Sequence, residues 1–173
     1  MNKHMTVMNQ EEFDKVFGIM DEAFPSSERR TYVDQKALLE NPKYKLFVYK
    51  VEGDILGFMA TWEWEVFNFI EHFAVDSKAR SLGIGSLMLK EYLEEVDKKV
   101  FLEVELPETD YAKRRIGFYE RIGFHFNDFE YLQPPLQVGE DFLPLRVMSY
   151  KEAISQEIMD AFRDVVYKDV YRV

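Results

Sequence analysis

The chain contains no cysteine, which excludes disulfides, thiolate nucleophiles and cysteine-ligated metal centres. Long apolar runs are missing as well, since no window approaches the roughly 20 residues that a membrane-spanning helix needs. The opening stretch MNKHMTVMNQEEF lacks the continuous apolar core of a secretory signal, so a cytoplasmic location is expected. Positive charge is scarce: 22 Lys and Arg stand against 32 Asp and Glu, for a formal net charge of -10. That balance disfavours nucleic acid and anionic membranes as partners and accommodates a cationic one more easily. His4, His72 and His125 have no ligand-like spacing, so no metal is expected. Internal repeats and low-complexity tracts are not found.

What is present is a globular composition. Hydrophobic residues make up 47% of the chain and aromatics 16%, enough large side chains to fill a core. At 173 residues the simplest organisation is one domain over 1–173, with residues 151–173 as a helical extension.

A short strand is expected over residues 3 to 8. Phe13, Val16, Phe17, Met20 and Phe24 then recur at helical spacing up to Pro25. PSSERRT forms a polar break, expected to be exposed, before a second short helix from Tyr32 to Glu40. KLFVYKVEGDILGFMATWEWEVF supplies two strand-like runs around Glu52, Gly53 and Asp54, the pattern of a β-hairpin. A strand over 68–75 is followed by a helix marked by Leu87, Met88, Leu89, Tyr92, Leu93 and Val96. Another strand is read over 100–106, and another helix from Tyr111 to Ile122 stopped by Gly123. That alternation implies a parallel crossover beside an antiparallel hairpin, and so a mixed sheet of α/β type. Strand-like pieces near 124–132 and 145–150 and a last amphipathic helix, free to pack on its own domain or on a second copy as a homodimer, complete the chain.

The stretch VDSKARSLGIGSLML, residues 75 to 89, carries Arg80, Gly83 and Gly85 where a strand gives way to a helix. Amides in the first turn of a helix have no helical partner and sit at the positive end of its dipole, so they can hold an anion. Glycines without a β-carbon let the backbone approach a diphosphate closely, and Arg80 adds a positive charge at the edge. The alternative is a tight turn that needs glycine for its own packing. Two other phosphate motifs fail: Met88 occupies the third glycine position of Gly-x-Gly-x-x-Gly, and no Gly-Lys-Ser/Thr loop exists.

This run resembles motif A of the GNAT N-acetyltransferases, with Arg80-x-x-Gly83-x-Gly85 matching its Gln/Arg-x-x-Gly-x-Gly/Ala signature. GFYERIGF, residues 117 to 124, is similar to the family's second hallmark, and the order of elements extends the resemblance over nearly the whole chain. The resemblance implies a GNAT fold: a central, mostly antiparallel sheet with a splayed parallel strand pair, flanked by helices. It also implies that acetyl-CoA is the co-substrate. The amides of Ser81, Leu82, Gly83, Ile84, Gly85 and Ser86 would hold the pyrophosphate with Arg80 at its edge, and the pantetheine arm would pair with Phe73, Ala74 and Val75. No metal takes part in the family's chemistry. Ala112 stands where many members have an asparagine seven residues before the tyrosine, and the connection LPETDYAKRR is longer than usual.

Acetyl transfer to an amine requires a neutral nucleophile, stabilisation of the developing oxyanion and a proton for the leaving thiolate. Tyr119 matches the family tyrosine that serves as general acid, or else is a packing residue of an amphipathic helix. Strict alternation would put Glu71 on one sheet face with Phe69 and Phe73, and His72 on the other. Burial there would raise the pKa of Glu71 toward neutrality and make it a candidate base. Glu105, which shares a face with Glu103, is the second candidate, and each of these carboxylates could instead form a structural ion pair. On the acceptor side the fold usually places the break between the first helices and the strand hairpin, here Glu28, Arg29, Arg30, Trp62, Trp64 and Phe67. The arginines could read a carboxylate or phosphate, or simply belong to a solvated capping loop.

The reading is a direct N-acetyltransferase acting on a primary amine of a small molecule or peptide. Its competitors are a non-catalytic acyl-CoA-binding regulatory module of the same fold and a nucleic-acid or partner-binding protein without cofactor, of which charge disfavours the nucleic-acid binder.

Overall fold

The structure is a computed structural model that describes residues 4–173. The chain divides into two compact units, one running through Lys98 and the other Lys99–Val173, with no linker between them.

The first unit contains β1 (Met5–Val7), α1 (Phe13–Ala23), α2 (Tyr32–Ala37), β2 (Tyr44–Val51), β3 (Asp54–Glu63), β4 (Phe67–Val75) and α3 (Ile84–Glu95). Residue 3 of the expected opening strand lies outside the described residues. β1 pairs with β2, β2 with β3 and β3 with β4, all antiparallel. Glu52 at φ 52° and Gly53 at φ 87° form the two-residue turn between β2 and β3. Two left-handed residues match the right-handed twist of the flanking strands, which is why the hairpin is tight. Phe13, Val16, Ile19 and Met20 bury one stripe of α1, and Thr31 caps α2 by accepting the Asp34 amide at 3.2 Å. Gly57 lets α3 close on β3, since a β-carbon there would stand 2.8 Å from the Met88 sulfur.

The ladder between β3 and β4 is irregular at one point. Ala60 pairs with His72 but Thr61 pairs with Ile70, so Glu71 is an extra residue in β4 with no partner across the ladder. Such a bulge bends the strand and interrupts the alternation of side chains. Glu71 and His72 consequently approach each other, His72 Nδ1 lying 3.3 Å from Glu71 Oε2. The expected placement of these residues on opposite faces is corrected by the bulge.

The second unit contains β5 (Lys99–Glu105), α4 (Asp110–Ile122), β6 (Phe124–Gln133), β7 (Leu143–Tyr150) and α5 (Gln156–Val166), which runs on as a π-helical turn over Tyr167–Tyr171. β7 lies between β5 and β6 and is antiparallel to both. Thr109 caps α4 by accepting the Ala112 amide at 3.0 Å, and Gly123 ends it at φ 117°. The C-terminal helix packs within its own unit: Phe162 meets Phe101 at 4.8 Å between ring centroids, and Tyr171 donates to Glu103 at 2.7 Å.

Candidate active site

The glycine turn begins where β4 ends. Asp76 starts a short 3-10 turn over Ser77–Ala79, accepting the Lys78 amide at 3.0 Å, and Arg80 follows with an exposed side chain. Ser81 is left-handed at φ 70° and Gly83 at φ 76°, so two residues of the turn adopt a conformation that L-residues avoid. Gly83 is the N-cap of α3, and the first amide of the helical ladder is that of Leu87, which donates to the Gly83 carbonyl at 3.2 Å. The amides of Ile84, Gly85 and Ser86 precede that ladder and point out of the helix end. No acidic residue stands in the first turn to neutralise them. Around Gly83, nothing among the described residues lies within 4 Å of where a β-carbon would stand. Alternating left-handed residues that lead into a helix end are the backbone geometry of a nest, a concavity of amides that can accept an anion. Leu82 is exposed beside it, as is Leu87 one turn further on.

A few residues upstream, the bulged Glu71 is the centre of a buried polar cluster. Arg30 donates to both of its oxygens, at 2.6 and 2.8 Å, and Trp62 Nε1 donates to Oε1 at 3.0 Å. The Glu71 and Arg30 side chains are 1% and 7% exposed, which makes this a desolvated fork-to-fork pair. Burial alone would raise the Glu71 pKa. The charge and hydrogen bonds of Arg30, followed by His72, outweigh it and hold the carboxyl far below the usual carboxylate range. The expectation of a near-neutral pKa at Glu71 is therefore corrected: the desolvation is real, but a guanidinium already occupies the carboxylate. His72 Nε2 lies 2.7 Å from the Glu28 carbonyl oxygen, which can only accept, so that nitrogen carries a proton. Gln35 donates to Tyr44 at 2.5 Å, and burial, then the Glu71 charge, pushes the Tyr44 phenol up.

These contacts also relocate the expected acceptor residues. Arg30 and Trp62 are buried partners of Glu71, not an exposed recognition pair, because the bulge turns a charge inward that something must neutralise. Arg29 is engaged too, binding Asp21 at 2.7 Å and the Phe24 carbonyl at 3.1 Å. Glu28 and Trp64 remain half-buried, Trp64 stacking on Trp62 at 6.2 Å and meeting Phe67 at 4.9 Å. The polar break between α1 and α2 is thus pinned down at Glu28, Arg29 and Arg30.

In the second unit, Tyr119 is 3% exposed on α4, edge-on to Phe118 at 5.3 Å and Phe124 at 5.8 Å. The Arg115 guanidinium lies 5.9 Å from the centre of its ring. Ala112, seven residues before it, is buried in the first turns of α4. Glu105 is exposed at the end of β5, opposite Leu145 of β7. Glu103, by contrast, is occupied by the Tyr131 hydroxyl, by Gln133 Nε2 at 3.1 Å and by Tyr171. The two carboxylates of one strand face have separate fates.

The family model described as the acetyltransferase (GNAT) family matches residues 11–124, a span that holds both the glycine turn and Tyr119. The chain belongs to the GNAT acetyltransferase family.

Its fold agrees. A structure from Bacteroides thetaiotaomicron named for the GNAT acetyltransferase family is 27% identical, with 99% of each chain covered and a TM-score of 0.92. The ribosomal-protein-S18-alanine N-acetyltransferase of Escherichia coli shares the fold at 18% identity, with 88% of this chain and 96% of that chain covered and a TM-score of 0.66. A GNAT acetyltransferase from Elizabethkingia anophelis, whose structure contains acetyl-CoA, does so at 17% identity, with 87% and 100% covered and a TM-score of 0.62. No curated protein sequence matches. As a GNAT acetyltransferase the chain has the mixed α/β fold expected for it, C-terminal helix included. Among the described residues, no helix is long and apolar enough to cross a membrane and no group of three potential metal ligands converges.

Sequence reasoning missed Gln35 and the engagement of His72 with Glu71 and the Glu28 carbonyl. A bulge carries no reliable sequence signal, so the approach of His72 to Glu71 was hidden. The left-handed Ser81 was hidden as well, because serine is not a usual marker of that conformation.

Proposed function

We propose that this GNAT protein transfers an acetyl group from acetyl-CoA directly to a primary amine of a small molecule or peptide, in the cytoplasm. The observation that carries the proposal is the turn from Ser81 to Ser86, with left-handed residues at 81 and 83 and the first amides of α3 ahead of the helical ladder. A diphosphate satisfies those donors and the helix dipole together. Arg80 lies at the rim, and the end of β4 at Phe73, Ala74 and Val75 is the backbone along which the amide-bearing arm of the coenzyme would run.

In the reaction the amine nitrogen bonds to the acetyl carbon as the carbon–sulfur bond breaks, and the departing sulfur takes a proton from the Tyr119 hydroxyl. The amine must also lose a proton. Glu71 is too weak a base to take it near neutral pH, because Arg30 stabilises the ionised carboxylate and occupies both of its oxygens. Glu105, exposed on β5, is the remaining carboxylate candidate, and water can serve when the free amine is already present. Glu28 and Trp64, both half-buried, are acceptor-side candidates, since an acidic group and an aromatic face each suit a cationic substrate. The excess of 32 acidic over 22 basic residues favours the same class through long-range attraction.

The test is a thermal-shift and thiol-release screen with acetyl-CoA against a panel of amines. Stabilisation by the coenzyme together with turnover on an amine supports the proposal. Stabilisation without turnover on any amine points to a non-catalytic acyl-CoA-binding module, and no stabilisation removes the coenzyme reading.

A further inference from the structure

The coenzyme turn is tied to the rest of its unit through Asp76. Its Oδ1 accepts the Lys78 amide at 3.0 Å and its carbonyl accepts the Ala79 amide at 2.9 Å, so it caps the 3-10 turn from both sides. Its own amide donates to the Leu56 carbonyl on β3 at 2.8 Å, and its Oδ2 accepts Lys15 Nζ of α1 at 3.0 Å. The nearly buried Asp76 side chain thereby joins α1 to the turn, and its main-chain amide ties the same residue to β3. Five residues further along the chain the nest begins. A carboxylate near an anion site opposes anion binding unless its charge is neutralised. Lys15 supplies the neutralising charge, with its ammonium half-exposed and Asp76 only 11% exposed.

We propose that Lys15 and Asp76 act as a positioning pair for the coenzyme: Asp76 fixes the entry to the nest, and Lys15 cancels the repulsion that its carboxylate would exert on a bound diphosphate. The inference rests on the coenzyme reading of the glycine turn, and it assigns a role to a residue of α1 far from that turn in sequence. The contact of the Asp76 carboxylate with the Lys78 amide serves geometry, whereas the Lys15 contact serves charge. The two roles separate under substitution, because asparagine keeps an oxygen for the Lys78 amide while losing the charge.

The test is calorimetric titration with coenzyme A of the unaltered protein, Lys15→Met, Asp76→Asn, Asp76→Ala and the Lys15→Met/Asp76→Asn double variant, at low and high salt. Lys15→Met is expected to weaken binding roughly three- to fivefold at low salt, the effect of one uncompensated charge near a doubly charged group, and less at high salt. Asp76→Asn is expected to bind as well as the unaltered protein or better, and the double variant to recover what Lys15→Met loses. Asp76→Ala is expected to bind more weakly although it removes the same negative charge, because the cap is gone. A pair that serves folding alone leaves coenzyme binding unchanged in every variant that remains folded. Thermal unfolding of each variant without ligand separates binding from folding. If Lys15→Met binds normally, or the double variant is as weak as Lys15→Met, the pairing is overturned while the coenzyme reading stands. If the unaltered protein does not bind coenzyme A, both are overturned.

Discussion

Arg30 grips Glu71 through two parallel hydrogen bonds of 2.6 and 2.8 Å, joining the segment between the first two helices to the bulge of the fourth strand. The pair makes Glu71 a structural anion. Glu71→Gln should therefore act first on stability: removing one partner of a buried ion pair typically costs about 3 to 5 kcal/mol. Chemical denaturation of the variant should show that loss. Steady-state kinetics of its folded fraction should keep the pH dependence of kcat seen in the unaltered protein, whereas a catalytic base at this position would take one limb of the profile with it.

The same pair has a pH signature. The folded-state pKa of Glu71 is depressed below the ordinary 4.5, so the unfolded chain binds a proton here more readily than the folded one. Its contribution to stability is full above that ordinary value and is lost as the pH falls through the folded value. Denaturation of the unaltered protein and Glu71→Gln from pH 7 to pH 3 should show the gap between them narrowing only on the acid side. A gap that narrows between pH 8 and 6 would mean that the carboxyl titrates near neutrality.

Gly83 tests the nest itself. Its φ of 76° makes any L-residue unfavourable by about 1 kcal/mol or more, but the space around a β-carbon is free. Gly83→Ala should lower the melting temperature modestly and keep much of the coenzyme affinity. Gly83→Glu should fold and lose coenzyme binding, because it adds a negative charge where the diphosphate is proposed to sit. Parallel melting curves and coenzyme titrations distinguish the two.

Tyr119→Phe removes a hydroxyl from a well-packed ring without changing its contacts to Phe118 and Phe124. If that hydroxyl protonates the leaving sulfur, kcat should fall by about a hundredfold or more while coenzyme affinity is kept. An unchanged kcat in thiol-release assays would assign the residue to packing alone.

Element order was legible in the sequence because apolar spacing, glycine stops and the Glu52–Gly53 turn are local signals. Helix α3 and the glycine turn were legible for the same reason. The Glu71 cluster was not, since its geometry depends on one unpaired residue in β4, and period-2 reasoning places Glu71 and His72 on opposite faces. Arg30 was misjudged with it: the polar run PSSERR looks solvated, and only the buried carboxylate forty-one positions away explains why its arginine turns inward. The division of labour between Glu103 and Glu105 was also hidden, because Tyr171, which occupies Glu103, comes from the far end of the chain.

The central claim is that main-chain donors from Ser81 to Ser86 hold the diphosphate of coenzyme A. Backbone amide resonances recorded while coenzyme A is titrated into the isotope-labelled protein test it most directly. The account predicts the largest changes at Ile84, Gly85 and Ser86, saturating together with the calorimetric signal. Saturable binding that leaves those amides unmoved and shifts another cluster would contradict it.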